Sequence, residues 1–132
     1  MEPLIEKAVI VQVDFLNQRE RFSSIKALTE FKDLVISSGA KISYEDLSSQ
    51  SKPSSGLFIG KGKAERIKHI VRESHSDLVI FNHDLSPSQE RNLEKVLEAR
   101  VLDRTGLILD IFASRATSHI GKLQVELAQL SH

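Results

Sequence analysis

Short runs of apolar residues rich in valine and isoleucine alternate along this chain with longer segments whose apolar residues recur at helical spacing. The segment KAVIVQVDF contains the continuous apolar run AVIV, and LVIF is apolar throughout, which is typical of strands buried on both faces. Parallel neighbours need a crossover, which is usually a helix. The alternation predicts an α/β fold, a small parallel sheet of about four strands flanked by helices. The predicted strands are residues 7–15, 40–47, 78–81 and 100–103, with a brief extended piece at 57–59.

Cap residues indicate where the predicted helices begin and end. Ser24, Ser86 and Thr105 each offer the hydroxyl of an N-cap, and Gln89 can complete a capping box with Ser86. Gly39 follows the first helical stripe and can adopt the left-handed conformation that ends a helix. A further helix is predicted from residue 63 onward.

The composition excludes several classes of protein. A chain of 132 residues suits one compact domain. The absence of cysteine excludes disulfides, thiol catalysis and thiolate zinc sites. No apolar run approaches the roughly 20 residues that cross a bilayer, and the N-terminus lacks the basic and then apolar pattern of a signal peptide. We therefore expect a cytoplasmic protein without a membrane span.

The net charge of the whole chain indicates no class of binding partner, but one segment is locally basic. Basic and acidic residues number 18 each, so the net charge of 0 gives no overall attraction to nucleic acid or membranes. Between residues 60 and 75, cations outnumber anions. These cations are Lys61, Lys63, Arg66, Lys68 and Arg72. Such a cluster is usually a solvated helix face, and a phosphate-binding surface is the alternative.

The segment Gly60-Lys61-Gly62-Lys63 lies just ahead of a predicted helix, where phosphate-binding loops are found. It is not a Walker A loop, because Ala64 stands where that loop needs the hydroxyl that binds magnesium. A dinucleotide fingerprint would need a third glycine where Glu65 stands. Two interpretations remain: a general anion site, or a glycine turn that feeds a helix.

The residues that usually perform catalysis form no recognisable constellation. The five histidines show no HExxH pairing, and the chain has no GxSxG nucleophile. His83 and Asp84 are adjacent, but Asp84 is explained as a turn residue before the Ser86 cap. We therefore predict no catalytic residues, no metal site and no bound cofactor in this chain.

The last predicted helix has an apolar stripe that nothing else in the sequence pairs with. Ile120, Leu123, Leu127 and Leu130 are spaced by three, four and three residues, as in a coiled-coil seam. A seam needs a partner helix. We therefore expect two parts, an α/β subdomain at residues 1–116 and the start of a long helical subdomain at 117–132, with the chain a fragment of a longer protein.

Four stretches together resemble the N-terminal domain of the HflX family of ribosome-associated GTPases. They are FIGKGKAERI, LVIFNHDLSPSQERNLEKVL, RVLDRTGLILDIFASRA and GKLQVELAQL. They follow one another almost continuously from Phe58 to Leu130, whereas the residues before Ser51 match only in their pattern of strand and helix.

The resemblance implies an architecture and a partner. It implies a parallel α/β subdomain, then a long antiparallel helical pair begun by GKLQVELAQL, then a separate GTPase domain that would hold GTP and magnesium. It also implies that the domain binds the large ribosomal subunit and ribosomal RNA, and that it contacts its own GTPase domain.

Two departures from the family pattern bear on function. Relatives usually have a Pro-Asp-Pro turn and a tyrosine before the glycines, where this chain has Pro53-Ser54-Ser55-Gly56 and Phe58. A basic and acidic run that usually precedes GKLQVELAQL is replaced by residues 116–121, ATSHIG, which implies weaker phosphate pairing near Arg115.

Three hypotheses follow. The first is a ribosome- and RNA-binding module that helps split or rescue stalled ribosomes. The second is an ATP-binding or RNA-remodelling domain, and the third is a purely structural regulator of an attached GTPase domain. For the first hypothesis, the candidate phosphate-binding residues are Gly60, Lys61, Gly62, Lys63, Arg66, Arg72, Arg104, Arg115 and Lys122. It predicts that replacing both lysines of GKGK leaves folding nearly intact, and the seam predicts self-association of the fragment.

Overall fold

A computed structural model describes residues 5–15 and 21–130 as one parallel sheet covered by helices on both faces. The elements in chain order are β1 (Lys7–Asp14), α1 (Arg21–Ser37), β2 (Lys41–Ser49), α2 (Lys61–Ser74), β3 (Leu78–Phe81), α3 (Pro87–Leu97), β4 (Arg100–Leu102) and α4 (Arg104–Leu130). The sheet order is β2-β1-β3-β4, and all neighbours are parallel. The predicted α/β class and four-stranded parallel sheet are confirmed.

The two faces of the sheet bury two separate apolar clusters. Side chains of successive strand residues point to opposite faces, so β1 contributes Val9 and Val11 to one cluster and Ala8 and Ile10 to the other. Helices α2 and α3 cover the first face, and α1 and α4 cover the second. A strand buried on both faces explains the unbroken apolar run in β1.

Several predicted caps are confirmed. Ser86 caps α3, and its capping box with Gln89 is complete. Gly39 has φ +90°, the left-handed conformation expected at the end of α1.

Other predicted boundaries are wrong. Ser24 lies inside α1, which is already helical at Arg21. Thr105 lies within the first turn of α4; the cap is Asp103, whose Oδ1 accepts a hydrogen bond from the Gly106 N–H at 2.8 Å. Residues 57–59 form no strand, only a single bridge between Ser54 and Phe58.

The last helix is continuous for 27 residues, from Arg104 to Leu130. The long C-terminal helix is therefore confirmed, while the subdomain division expected after residue 116 falls inside it and stays a prediction. Only Leu107 and Ile111 of this helix are buried. None of the helices in the described part of the chain has the length and apolar character needed to cross a bilayer.

Candidate nucleic-acid interface

Helix α2 begins at the carboxyl edge of the sheet without a side-chain cap. Gly60 is its N-cap with φ −69° and ψ 158°, and no side chain accepts a hydrogen bond from the first turn. Because the first N–H groups of a helix have no partner within it, this end carries a partial positive charge and unpaired donors. Lys61 and Gly62 are exposed beside these donors. The helix start therefore has the properties of an anion-binding surface.

The fold itself does not require glycine at either position of this turn. Gly60 and Gly62 both lack a positive φ, and a methyl group added to either would meet no atom within 4 Å. Glycine inside a helix costs about 1 kcal/mol relative to alanine. This cost applies to Gly62, whereas glycine is among the preferred N-cap residues at Gly60. The bare backbone at Gly62 leaves room for close approach of an outside group.

Lys63 is engaged within the protein. Its Nζ lies 2.8 Å from Oδ1 of Asp46 on β2, and the side chains are 21% and 3% exposed respectively. The pair joins the first turn of α2 to the sheet. Lys63 thus has a structural partner that Lys61 lacks among the described residues, and the two lysines of GKGK are not equivalent.

The basic face of α2 is also partly neutralised by α3. Glu98, at the C-terminal end of α3, accepts a hydrogen bond from Arg72 Nη2 at 2.5 Å and lies 3.7 Å from Lys68 Nζ. The hydrogen bond from Arg72, with the charges of Lys68 and Arg72, lowers the pKa of the Glu98 carboxyl. Acids from other elements therefore neutralise part of the local cation excess in the sequence.

Arg104 begins α4 at the same edge and joins a chain of polar side chains. Its Nη1 donates to Asn82 Oδ1 at 3.4 Å. Asn82 Nδ2 donates to Gln12 Oε1 at 2.7 Å, and Gln12 Nε2 donates to the Ser24 carbonyl at 2.8 Å. This chain connects the starts of α4 and α1 through the centre of the sheet, and it leaves Arg104 itself exposed.

Aromatic rings pack above the ends of β1 and β3, the point where strand order reverses and where open α/β sheets bind nucleotides. The His83 ring lies 4.9 Å from Phe58 and 5.9 Å from Phe15, between ring centroids. His83 Nε2 accepts a hydrogen bond from the Val13 N–H at 2.8 Å. Burial lowers the pKa of His83 to about 4, so its ring is neutral at physiological pH. The three rings therefore pack on one another at this edge of the sheet.

The structure brings together only part of the predicted set. Gly60, Lys61, Gly62, Lys63 and Arg66 share the first turns of α2, and Arg66 is exposed.

The remaining predicted cations lie elsewhere. Arg104 lies at the same edge, whereas Arg72 lies in the last turn of α2. Arg115 and Lys122 are exposed on α4, about 16 and 27 Å along the helix axis from Arg104 at 1.5 Å per residue. The described residues contain no cluster of three or more histidines and carboxylates that could hold a metal ion.

Sequence reasoning missed the residues that fix the loop before α2. Gln50 Nε2 donates to the carbonyls of Lys52 and Phe58, at 2.7 and 3.1 Å. Gln89 Nε2 donates to the Ser54 carbonyl at 2.9 Å, and Asn92 Nδ2 donates to the Gly56 carbonyl at 3.0 Å. Only Gln89 had a local signal, as a capping-box residue, and nothing local indicates contacts that span 35 and 36 residues.

Comparisons of this chain with known proteins agree on one family. Residues 25–113 match the family described as GTP-binding GTPase N-terminal. GTPase HflX of Escherichia coli strain K12 is 48% identical over 127 residues, which cover 96% of this chain and 29% of that protein. GTPase HflX of Thermococcus kodakarensis is 42% identical over 119 residues, covering 88% of this chain and 25% of that protein.

Solved structures agree with this assignment. The crystal structure of SsGBP in complex with GDP has a TM-score of 0.62 at 25% identity, covering 97% of this chain and 35% of that chain. A GTP-binding protein from Sulfolobus solfataricus, also with GDP, has a TM-score of 0.55 at 22% identity over 83% of this chain and 30% of that chain, a likeness of fold alone.

Sheet, final helix and family match together define the N-terminal domain of a GTP-binding GTPase, and the chain belongs to that family. More specifically, it corresponds to the N-terminal domain of the HflX GTPases, which confirms the resemblance seen in the sequence. The chain spans less than a third of the length of the relatives described above.

Proposed function

We propose that this domain is the ribosome- and RNA-binding, regulatory part of an HflX-type GTPase, which binds the large ribosomal subunit and helps split or rescue stalled ribosomes. The observation that carries the proposal is the uncapped start of α2, with two glycines that the fold does not need and an exposed lysine. These features suit a phosphate group of ribosomal RNA, which is contacted without reading bases.

The physical contributions are individually modest. A negative charge at a helix N-terminus gains about 0.3 to 1 kcal/mol, and each lysine or arginine that neutralises a phosphate adds salt-dependent affinity by counterion release. Lys61 and Arg66 are the leading contacts, because they are exposed on α2 and have no described acidic partner. Exposed Arg104, Arg115 and Lys122 would provide further contacts along α4.

In this proposal the nucleotide chemistry belongs to a GTPase domain beyond this chain. That domain would bind GTP and magnesium, and it would be an intramolecular partner of the N-terminal domain. Residues 1–132 alone neither bind GTP specifically nor hydrolyse it, because they have no Walker A loop. The setting is the cytoplasm, where ribosomes are found.

A second candidate is a structural regulator that acts by packing on the GTPase domain without any RNA contact. It is supported by the ion pairs that engage Lys63 and Arg72 internally. A nucleotide-binding domain is less well supported, because GKGK is neither a Walker A loop nor a dinucleotide fingerprint. Phe15, Phe58 and His83 pack on one another at the edge where strand order reverses.

Binding separates the candidates. We expect the 132-residue chain to bind purified large ribosomal subunits weakly, and the full-length GTPase to bind them tightly with a non-hydrolysable GTP analogue. If the chain shows no binding and its removal leaves the affinity of the GTPase unchanged, the domain is a regulator. Saturable, magnesium-dependent binding of ATP by the chain would favour the nucleotide-binding hypothesis.

A further inference from the structure

The loop of residues 50–60, called the clamped loop below, is polar and partly exposed at residues 50–56 and buries Phe58 and Ile59 at its end. Side-chain amides hold four of its carbonyls. The carbonyls of Lys52, Ser54, Gly56 and Phe58 each accept a hydrogen bond from a side-chain amide. Residues 51–56, which are serine, lysine, proline and glycine, would otherwise sample many conformations. Fixing it therefore requires dedicated residues.

The loop ends in a strained turn that these bonds support. Phe58 has φ +66°, which is a rare conformation for a bulky residue. The Ile59 N–H donates to the Leu57 carbonyl at 2.7 Å, closing a three-residue turn around Phe58. Ser54 and Phe58 exchange two backbone hydrogen bonds of 3.0 Å each. Such strain persists only where the surroundings impose it, and it is found at functional sites.

The direction of the amide bonds decides which groups the loop leaves available. The C=O and N–H of a trans peptide point in opposite directions, so the Ser54 carbonyl that turns to Gln89 leaves the Ser55 N–H pointing away from α3. The N–H groups of Ser55 and Gly56 have no acceptor among the described residues. The next segment is the uncapped start of α2. Unpaired donors and the exposed Lys61 therefore follow one another along a segment whose backbone is fixed.

We propose that Gln89 and Asn92 are positioning residues, which hold the clamped loop so that the start of α2 meets an RNA phosphate without first having to become ordered. This inference rests on the proposed function. Gln89 has two separate tasks: its Oε1 accepts from the Ser86 N–H at 2.9 Å in the capping box, and its Nε2 holds the loop. Preorganisation of this kind raises affinity by removing the entropic cost of ordering on binding.

Gln89→Glu separates the two tasks of this side chain. A glutamate keeps the acceptor that the capping box needs, and it is favoured in the first turn of a helix. It cannot donate to the Ser54 carbonyl, so the loop loses that bond. Ser88→Glu places the same charge one residue away, on an exposed side chain with no described contact to the loop, and is the matched control. Asn92→Ala removes the second bond without a change of charge.

The first measurement is hydrogen exchange at the Ser54 and Phe58 amides, which both donate within the loop. Exchange should be about tenfold faster in Gln89→Glu and Asn92→Ala and unchanged in Ser88→Glu, because one hydrogen bond of about 1 kcal/mol or more is lost. Unchanged exchange in both loop variants would overturn the inference, since the bonds would then not hold the loop.

The second measurement is affinity for purified large ribosomal subunits over a range of salt concentrations. Both loop variants should bind about tenfold more weakly with the same slope of log affinity against log salt, because the phosphate contacts are retained and only their preorganisation is lost. Ser88→Glu should stay within about threefold of the wild type.

The failures are distinguishable. Faster exchange with wild-type affinity would overturn the positioning role and leave the proposed function intact. Absence of binding by the wild-type chain and by the full-length GTPase would overturn the proposed function and the positioning role together. A reduced slope in the loop variants would also contradict positioning, since a phosphate contact would then have been lost together with the preorganisation.

Discussion

Replacing Lys63 with alanine should destabilise the domain, whereas replacing Lys61, two residues earlier, should not. Alanine at 63 leaves the Asp46 carboxylate, with 3% of its side chain exposed, without its ion-pair partner. Removing one member of a buried pair typically costs 3 to 5 kcal/mol. Because the Lys63 side chain is 21% exposed and water can reach it, we expect about 2 to 3 kcal/mol. Lys61 is exposed, and its replacement should change the free energy of unfolding by less than about 0.5 kcal/mol.

Urea unfolding followed by circular dichroism measures these differences. A loss of about 2 to 3 kcal/mol from a total near 5 to 15 kcal/mol would lower the melting temperature by about 6 to 15 °C. Asp46→Asn and the double variant complete a mutant cycle, in which direct contact predicts a coupling energy of at least about 1 kcal/mol. A Lys63→Ala variant as stable as Lys61→Ala would refute the structural role of this pair, and both lysines would again be candidates for RNA contact.

Three further predictions concern other parts of the fold. Because burial holds the pKa of His83 at about 4, against 6.5 for a free histidine, the unfolded chain binds a proton at higher pH than the folded one. The free energy of unfolding should therefore be highest above pH 6.5 and fall by about 1 to 2 kcal/mol toward pH 4, a figure reduced for the partial exposure of the ring. If the urea midpoint of a His83→Phe variant fell with pH in the same way as that of the wild type, this prediction would be contradicted. Phe58→Ala should cost about 3 to 5 kcal/mol, and Phe58→Gly about 1 kcal/mol less although it is smaller, because φ +66° penalises alanine; the reverse order in urea unfolding would be inconsistent with the turn. Leu127 and Leu130 are 66% and 82% exposed, so hydrogen exchange near the end of α4 should be fast in dilute protein and should become slower as the protein concentration rises. Uniformly slow exchange in a proven monomer would contradict this, because the helix would then be stable alone.

Local patterns predicted most of the fold because burial dictates them. The continuous apolar runs in β1 and β3 indicate that helices cover both faces of these strands. The Ser86 capping box is contained within four residues of sequence. Cap prediction failed where several polar residues stood close together. Thr105 offers a hydroxyl near the start of α4, but Asp103 is the acceptor that caps the helix. Thr105 Oγ1 instead donates to Asp84 Oδ1 at 2.7 Å.

Only part of the site was predictable from the sequence, because the acids that neutralise a lysine or an arginine can be distant from it in the chain. The basic character of α2 is visible in its own residues, but its acidic partners Asp46 and Glu98 lie 17 residues before Lys63 and 26 residues after Arg72. No local count could show that Lys63 is paired while Lys61 is exposed. The role of Gln89 in the loop was hidden for the same reason.

The proposed contact between the start of α2 and RNA phosphate can be tested by the salt dependence of binding. Log affinity for large ribosomal subunits against log salt should be compared for wild type, Lys61→Ala with Arg66→Ala, and Lys26→Ala. Lys26 is an exposed lysine on α1, which covers the opposite face of the sheet. The double variant should bind more weakly, with a slope flattened by up to about two units, one for each lost contact, while Lys26→Ala keeps the wild-type slope. Equal slopes for all three proteins would contradict the claim and favour a domain that regulates its GTPase by packing alone.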